Sequence, residues 1–75
     1  MTVKEFCLQH TKVNELVGIC DSGYLVHTVY IDHEDLFTIA NKYINLQVKK
    51  DYWKDINIVN QQGNKVYIPC HIIDI

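Results

Sequence analysis

The chain ends IPCHIIDI (68–75), and the reading of that octapeptide decides the fold. Cys70 and His71 stand side by side in it, two metal-ligating residue types, or a nucleophile beside its base, in an otherwise apolar run. Side chains alternate between faces along a strand, so Val66, Ile68, Cys70 and Ile72 share one face and Tyr67, Pro69, His71, Ile73 and Ile75 the other. Adjacent Cys70 and His71 then point apart and cannot serve one ligand without a bulge. Both faces are largely apolar, which reads as a buried strand. Pro69 has no N–H to donate and implies a sheet edge or a bulge.

Upstream, INIV and KVYIPCHII flank NQQGN, where Gly63 and Asn64 tolerate the left-handed conformations of a tight turn, so the last third is a hairpin. Ile44, Leu46 and Val48 alternate with Asn45, Gln47 and Lys49, the period of a further strand. IDHEDLFTIANKYI reads as a helix capped by Asp32 with Asp35 at its third position, Glu34 near its positive end, and Leu36, Phe37, Ile39, Ala40 and Tyr43 as its apolar face. Its end is expected near Asn41 or Lys42. ELVGIC and YLVHTVYID around DSG form another hairpin, with Gly23 supplying a positive φ and Asp21 and Ser22 bonding the turn. Thr2 and Glu5 fit a capping box for a first helix over 3–11 that buries Val3, Phe6, Cys7 and His10.

These elements define a single small α+β domain over 1–75, two short helices on an antiparallel sheet of about five strands. A mixed sheet, or a homodimer paired through the C-terminal strand, is the alternative arrangement. The expected core is Phe6, Leu16, Ile19, Leu25, Val29, Ile31, Leu36, Ile39, Leu46, Ile58, Val66, Ile68 and Ile72. Seventy-five residues at 48% hydrophobic and 21% charged fit a folded chain with a thin core. No run reaches the roughly 20 apolar residues of a membrane span and no signal segment is evident, so no membrane partner and a cytoplasmic location are expected.

A net charge of -2 forces no partner, and all seven cations are lysine. The absence of arginine removes the residue that makes most bidentate contacts to guanine and phosphate. Cys7, Cys20 and Cys70 are odd in number and lack a CxxC, so free structural thiols are expected. Cys20, His27, His33, Cys70 and His71 contain only His27-x₅-His33 near a zinc spacing, and no metal or cofactor is expected. CDSG at 20–23 superficially resembles the surroundings of a serine-protease nucleophile, but turn chemistry accounts for it, and no enzyme is expected.

KKDYWKDI carries the strongest binding signal. Lys49, Lys50, Asp51, Lys54 and Asp55 surround Tyr52 and Trp53, and large aromatics ringed by charge concentrate binding energy when a partner desolvates them. The competing role for Trp53 is a lid on the chain's own core. Tyr52, Trp53, Asp51, Lys50, Glu34 and Asp35 are the expected protein contacts. Lys42, Lys49, Lys50 and Lys54 with Tyr43, Tyr52 and Trp53 could instead form a stacking strip for nucleic acid, interrupted by Asp51 and Asp55.

The opening MTVKEF, the hairpin–helix order and the ending DYWKDINIV…GNKVYIPCHIIDI resemble small accessory proteins of phages and mobile elements of low-GC Gram-positive bacteria. The resemblance implies a stoichiometric inhibitor of a bacterial defence system, anti-CRISPR-like, that binds a CRISPR nuclease or another host defence protein directly in the host cytoplasm. The alternative is a small regulatory or architectural protein that binds nucleic acid through the lysine–aromatic strip.

Overall fold

The computed structural model describes residues 1–32 and 41–75. Helix α1 (Val3–His10) begins as the sequence predicts. The Thr2 hydroxyl accepts from the Glu5 N–H at 3.2 Å, and the Glu5 carboxylate accepts from the Thr2 N–H at 3.0 Å. These bonds hold the Glu5 carboxyl below its ordinary range. The helix stops one residue short of the expected end, where the Thr11 hydroxyl donates back to the Cys7 carbonyl.

Strands β1 (Leu16–Asp21) and β2 (Tyr24–Tyr30) form the first hairpin, with Ser22 at φ 53° and Gly23 at φ 85°. Positive φ at both loop positions is the twist that a two-residue hairpin needs. Strands β3 (Lys50–Val59) and β4 (Lys65–Asp74) form the second. Its loop is organised by the Asn60 side chain, which accepts from the N–H groups of Gln62 and Asn64, both at 3.0 Å.

The strand order is β2-β1-β4-β3, with both hairpins antiparallel and β1 parallel to β4. Among the described residues the sheet is therefore four-stranded and mixed, the alternative arrangement, and not antiparallel with about five strands. Burial explains the topology: Leu16 to Cys20 and Cys70 to Ile73 are apolar on both faces but for His71 and Gly18, so β1 and β4 take the two central positions. Pro69 sits where this pairing ends. β1 contacts β4 only over 71–74, and the Pro69 nitrogen lies on the side of β4 that β1 leaves open. An interface through the C-terminal strand is thereby restricted to 65–70, since 71–74 is hydrogen-bonded on both sides.

The strand expected over 44–48 is absent. Ile44 belongs to helix α2 (Asn41–Ile44), which outlasts its expected end, and residues 46–48 pair with the amino terminus. Val3 N–H donates to the Leu46 carbonyl and Val48 N–H to that of Met1, both at 2.9 Å. The period of two reflects this short extended segment, in which Val48 packs inward and Leu46 is exposed. The expected stripe Leu36, Phe37, Ile39 and Ala40, with Asp35, lies outside the described residues.

The core divides between the faces of the sheet. On one, Val3, Phe6 and Cys7 of α1 pack with Val17, Ile19, Ile31 and Ile73, joined by Tyr43, Ile44 and Val48. On the other, Leu16, Cys20, Cys70 and Ile72 cluster with Ile56 and Ile68. Leu25, like Leu46, is exposed and not core, because it lies on an edge strand, while Val29, Ile58, Val66 and Ile68 are half-buried. Gly18 is what lets the second face close: a Cβ there would stand 2.8 Å from Leu25 Cδ1, 3.0 Å from Ile72 Cδ1 and 3.1 Å from Cys70 Sγ.

Leu25 can swing away but the buried Ile72 and Cys70 have less room. Gly18→Ala is expected to destabilise by about 1 kcal/mol, the low end for overpacking, measured by denaturant unfolding. Thr2→Ala, which removes the cap, is expected to lose about the same in the same assay. Glu5 has a depressed folded-state pKa, so its contribution is present above the unfolded-state value and disappears as pH falls through the folded-state one. Thr2→Ala should therefore flatten the acid limb of the stability profile.

Candidate functional site

His71 is the polar exception in the most buried part of β4, and the register supplies its partners. Val17 and Trp53 flank it on β1 and β3. Two residues before Val17 is Glu15, whose carboxylate lies 3.3 Å from His71 Nδ1, and two before Trp53 is Asp51, whose carboxylate lies 2.7 Å from Nε2. The side chain of Glu15 is 13% exposed and that of Asp51 45%. Each ring nitrogen lies within hydrogen-bonding distance of a carboxylate, and the ring satisfies both when it carries two N–H groups and donates to each.

The loop before β1 is shaped around Glu15. Its second carboxylate oxygen accepts from the Lys12 N–H at 2.6 Å, and its own N–H donates to the Lys12 carbonyl at 3.1 Å. Asn14 takes φ 67° to make that turn, a conformation that asparagine adopts more readily than most residues.

Trp53 lies over this cluster. Its ring stacks on His71 with centroids 4.7 Å apart and planes at 23°, while Phe6 meets the other side of His71 edge-on at 5.2 Å. Yet Trp53 is 57% exposed. One face of the indole covers His71, and the rest of the ring is exposed. Beside it lies an open cleft of about 470 Å³ lined by His10, Lys12, Val13, Asn14, Glu15, Trp53 and His71.

The other expected contacts are not all gathered here. Strand alternation places Asp51 and Trp53 on the α1 face and Lys50, Tyr52 and Lys54 on the opposite one, so the adjacent aromatics cannot both meet one flat surface. Tyr52 is 40% exposed, and its phenol is pushed up, first by desolvation and then by the Asp74 carboxylate. Lys50 lies 5.7 Å from the Tyr52 ring and 3.6 Å from Asp74. The same alternation splits the lysine–aromatic strip between faces. Glu34 and Asp35 lie outside the described residues. Lys12 and Glu15 are candidates that the sequence reading passed over, His71 was considered there only as a ligand or a base, and His10, expected on the buried face of α1, is exposed at the cleft. Their signal was His71 itself, an ionisable ring in an apolar strand that must find partners.

Among the described residues the cleft lining holds no hydroxyl or thiol, and both His71 nitrogens face a carboxylate. Cys7, Cys20 and Cys70 are free and buried. Desolvation pushes all three thiols up, Cys7 to about 11, where the Glu15 carboxylate adds to the effect. Among the described residues no three His, Cys, Asp or Glu side chains converge as a metal site, and no helix is long and apolar enough to cross a membrane. No family model, curated protein or solved structure matches the chain.

His71→Ala leaves the mostly buried Glu15 carboxylate with only the Lys12 N–H and unseats Trp53, and is expected to destabilise by about 2–3 kcal/mol in denaturant unfolding. Asp51→Asn, at a half-exposed position, should lose less than about 1 kcal/mol. Alkylation of the folded protein at pH 8 should leave Cys7 largely unmodified, with a thiolate fraction on the order of one in a thousand, and unfolding should release the reaction.

Proposed function

We propose that this chain is a non-enzymatic protein-binding module whose anchor is Trp53. The observation that carries this reading is the combination of exposure and fixation at one residue. A large aromatic ring remains 57% exposed while it is stacked on a buried imidazole that is itself held between two carboxylates. A fixed, exposed aromatic loses little conformational entropy when a partner covers it, so most of its desolvation becomes affinity. Asp51, His10 and Lys12 around the indole provide a polar rim. The carboxylates that face both His71 nitrogens, the lack of a hydroxyl or thiol among the described residues of the cleft and the buried, raised thiols favour binding over catalysis.

The partner follows from the resemblance of the chain's two ends: a bacterial host defence protein, a CRISPR nuclease among them, inhibited stoichiometrically by direct contact. Tyr52 and Lys50, on the opposite sheet face, belong to the edge of such an interface or lie outside it. The lysine–aromatic strip receives no comparable support, because its members are divided between faces and Lys50 is engaged with Asp74.

Affinity capture from a bacterial host lysate, followed by titration with the purified captured protein, tests the reading. Trp53→Ala is expected to weaken that binding by about 2 kcal/mol or more, roughly thirtyfold, while losing only about 1 kcal/mol of stability with its stacking contact. Undiminished binding by a folded Trp53→Ala variant would refute the anchor.

A further inference from the structure

Once pleated into β3, the run KKDYWKDI sorts its charges by sign. Alternation puts Lys50 and Lys54 on one face of the sheet, where Lys50 lies against Tyr52 and Asp74. Asp51, Trp53 and Asp55 share the other face, and Asp51 and Asp55 stand about 7 Å from Trp53 along the strand in either direction. Asp51 meets His71 through one carboxylate oxygen, and its side chain is 45% exposed. Asp55 is exposed, and among the described residues it forms no ion pair.

The indole between them is open on one face. His71, on β4, takes the inward face, with the ring centroids 4.7 Å apart. The other face turns away from β4, toward the edge at which β3 ends the sheet among the described residues. His10 and Lys12 line the cleft that His71 also lines, and Asp55 lies outside that lining. The charged side chains that share the strand and face of the indole are therefore both carboxylates.

We infer that the partner sets an arginine side chain on the open face of Trp53, its guanidinium stacked on the indole and donating to Asp55, with Asp51 as the second negative charge. The inference rests on the reading of Trp53 as the anchor and names the chemistry that the anchor takes. Two carboxylates alone would be a solvated surface; the fixed ring between them supplies the plane on which a cation stacks. An apolar group seated there would strip water from both aspartates without replacing it, and an anion would be repelled. Arginine suits the ring and the carboxylates together. Its guanidinium is planar, stacks on aromatic faces, is more weakly hydrated than an ammonium and donates to a carboxylate in a fork.

Acetyl-Gly-Arg-Gly-amide and its neutral isostere with citrulline in place of arginine, each titrated into the full chain at fixed ionic strength, test the inference, with the Trp53 indole N–H followed by NMR. The arginine peptide is expected to shift that signal saturably and to bind about fivefold or more tightly than the citrulline peptide. Asp55→Asn is isosteric at an exposed position and should keep the fold, verified by its thermal midpoint. It should weaken the arginine peptide about threefold and leave the citrulline peptide unchanged. Equal binding of the two peptides, tighter binding of the matching glutamate peptide, or an arginine peptide indifferent to Asp55→Asn would overturn the inference. So would the lack of any saturable shift up to about 50 mM, where even a weak contact registers. A captured partner weakened by Trp53→Ala but not by Asp55→Asn would keep the anchor and remove the arginine, whereas undiminished binding by Trp53→Ala removes the anchor and this inference with it.

Discussion

One polar ring in the most buried strand constrains the rest of this structure. His71 lies within a segment of β4 that is hydrogen-bonded on both sides and covered on both faces. Solvent cannot satisfy its nitrogens, so the protein must, and a buried imidazole without partners would be strongly destabilising. Glu15 and Asp51 meet that requirement from opposite sides. Each reaches His71 only because β1 and β3 run beside β4 in the observed register. The loop at Lys12–Glu15, the left-handed Asn14 and the position of Trp53 follow from the same need.

The parallel contact between β1 and β4 is the second constraint. It brings the two hairpins together and leaves the longer one extending beyond β1 from Pro69 outward. It also fixes which edges are open. One open edge carries the charged and aromatic run with Trp53; the other carries the uncharged strand β2.

Much of this was legible in the sequence where a local rule applied. Thr2 and Glu5 announced the first helix, DSG and NQQGN the two turns, and Pro69 an interruption of pairing. The order of strands was not legible, because no local signal states that Leu16–Cys20 must lie beside Cys70–Ile73. The shared property, apolar residues on both faces, was visible but was assigned to separate strands of an antiparallel sheet. Ile44, Leu46 and Val48 misled for the converse reason, since an extended segment pairing with the amino terminus has a strand's period without joining the sheet.

At the candidate site, Trp53 and Asp51 stood out in the sequence and the cluster below them did not. Adjacent aromatics in KKDYWKDI suggested one patch, and only the pleat of β3 separates Tyr52 from Trp53. His71 was weighed as a ligand or a base, and in the structure its ring stacks against the indole of Trp53. Trp53 is the only tryptophan in the chain, so its fluorescence reports on that contact directly. Time-resolved anisotropy, combined with quenching by a small neutral solute, measures motion and exposure of the same ring. The account predicts an indole that is readily quenched yet decays with the tumbling of the whole molecule, and that gains fast local motion in His71→Ala. Large-amplitude fast motion in the native protein, or an indole shielded from the quencher, would contradict it.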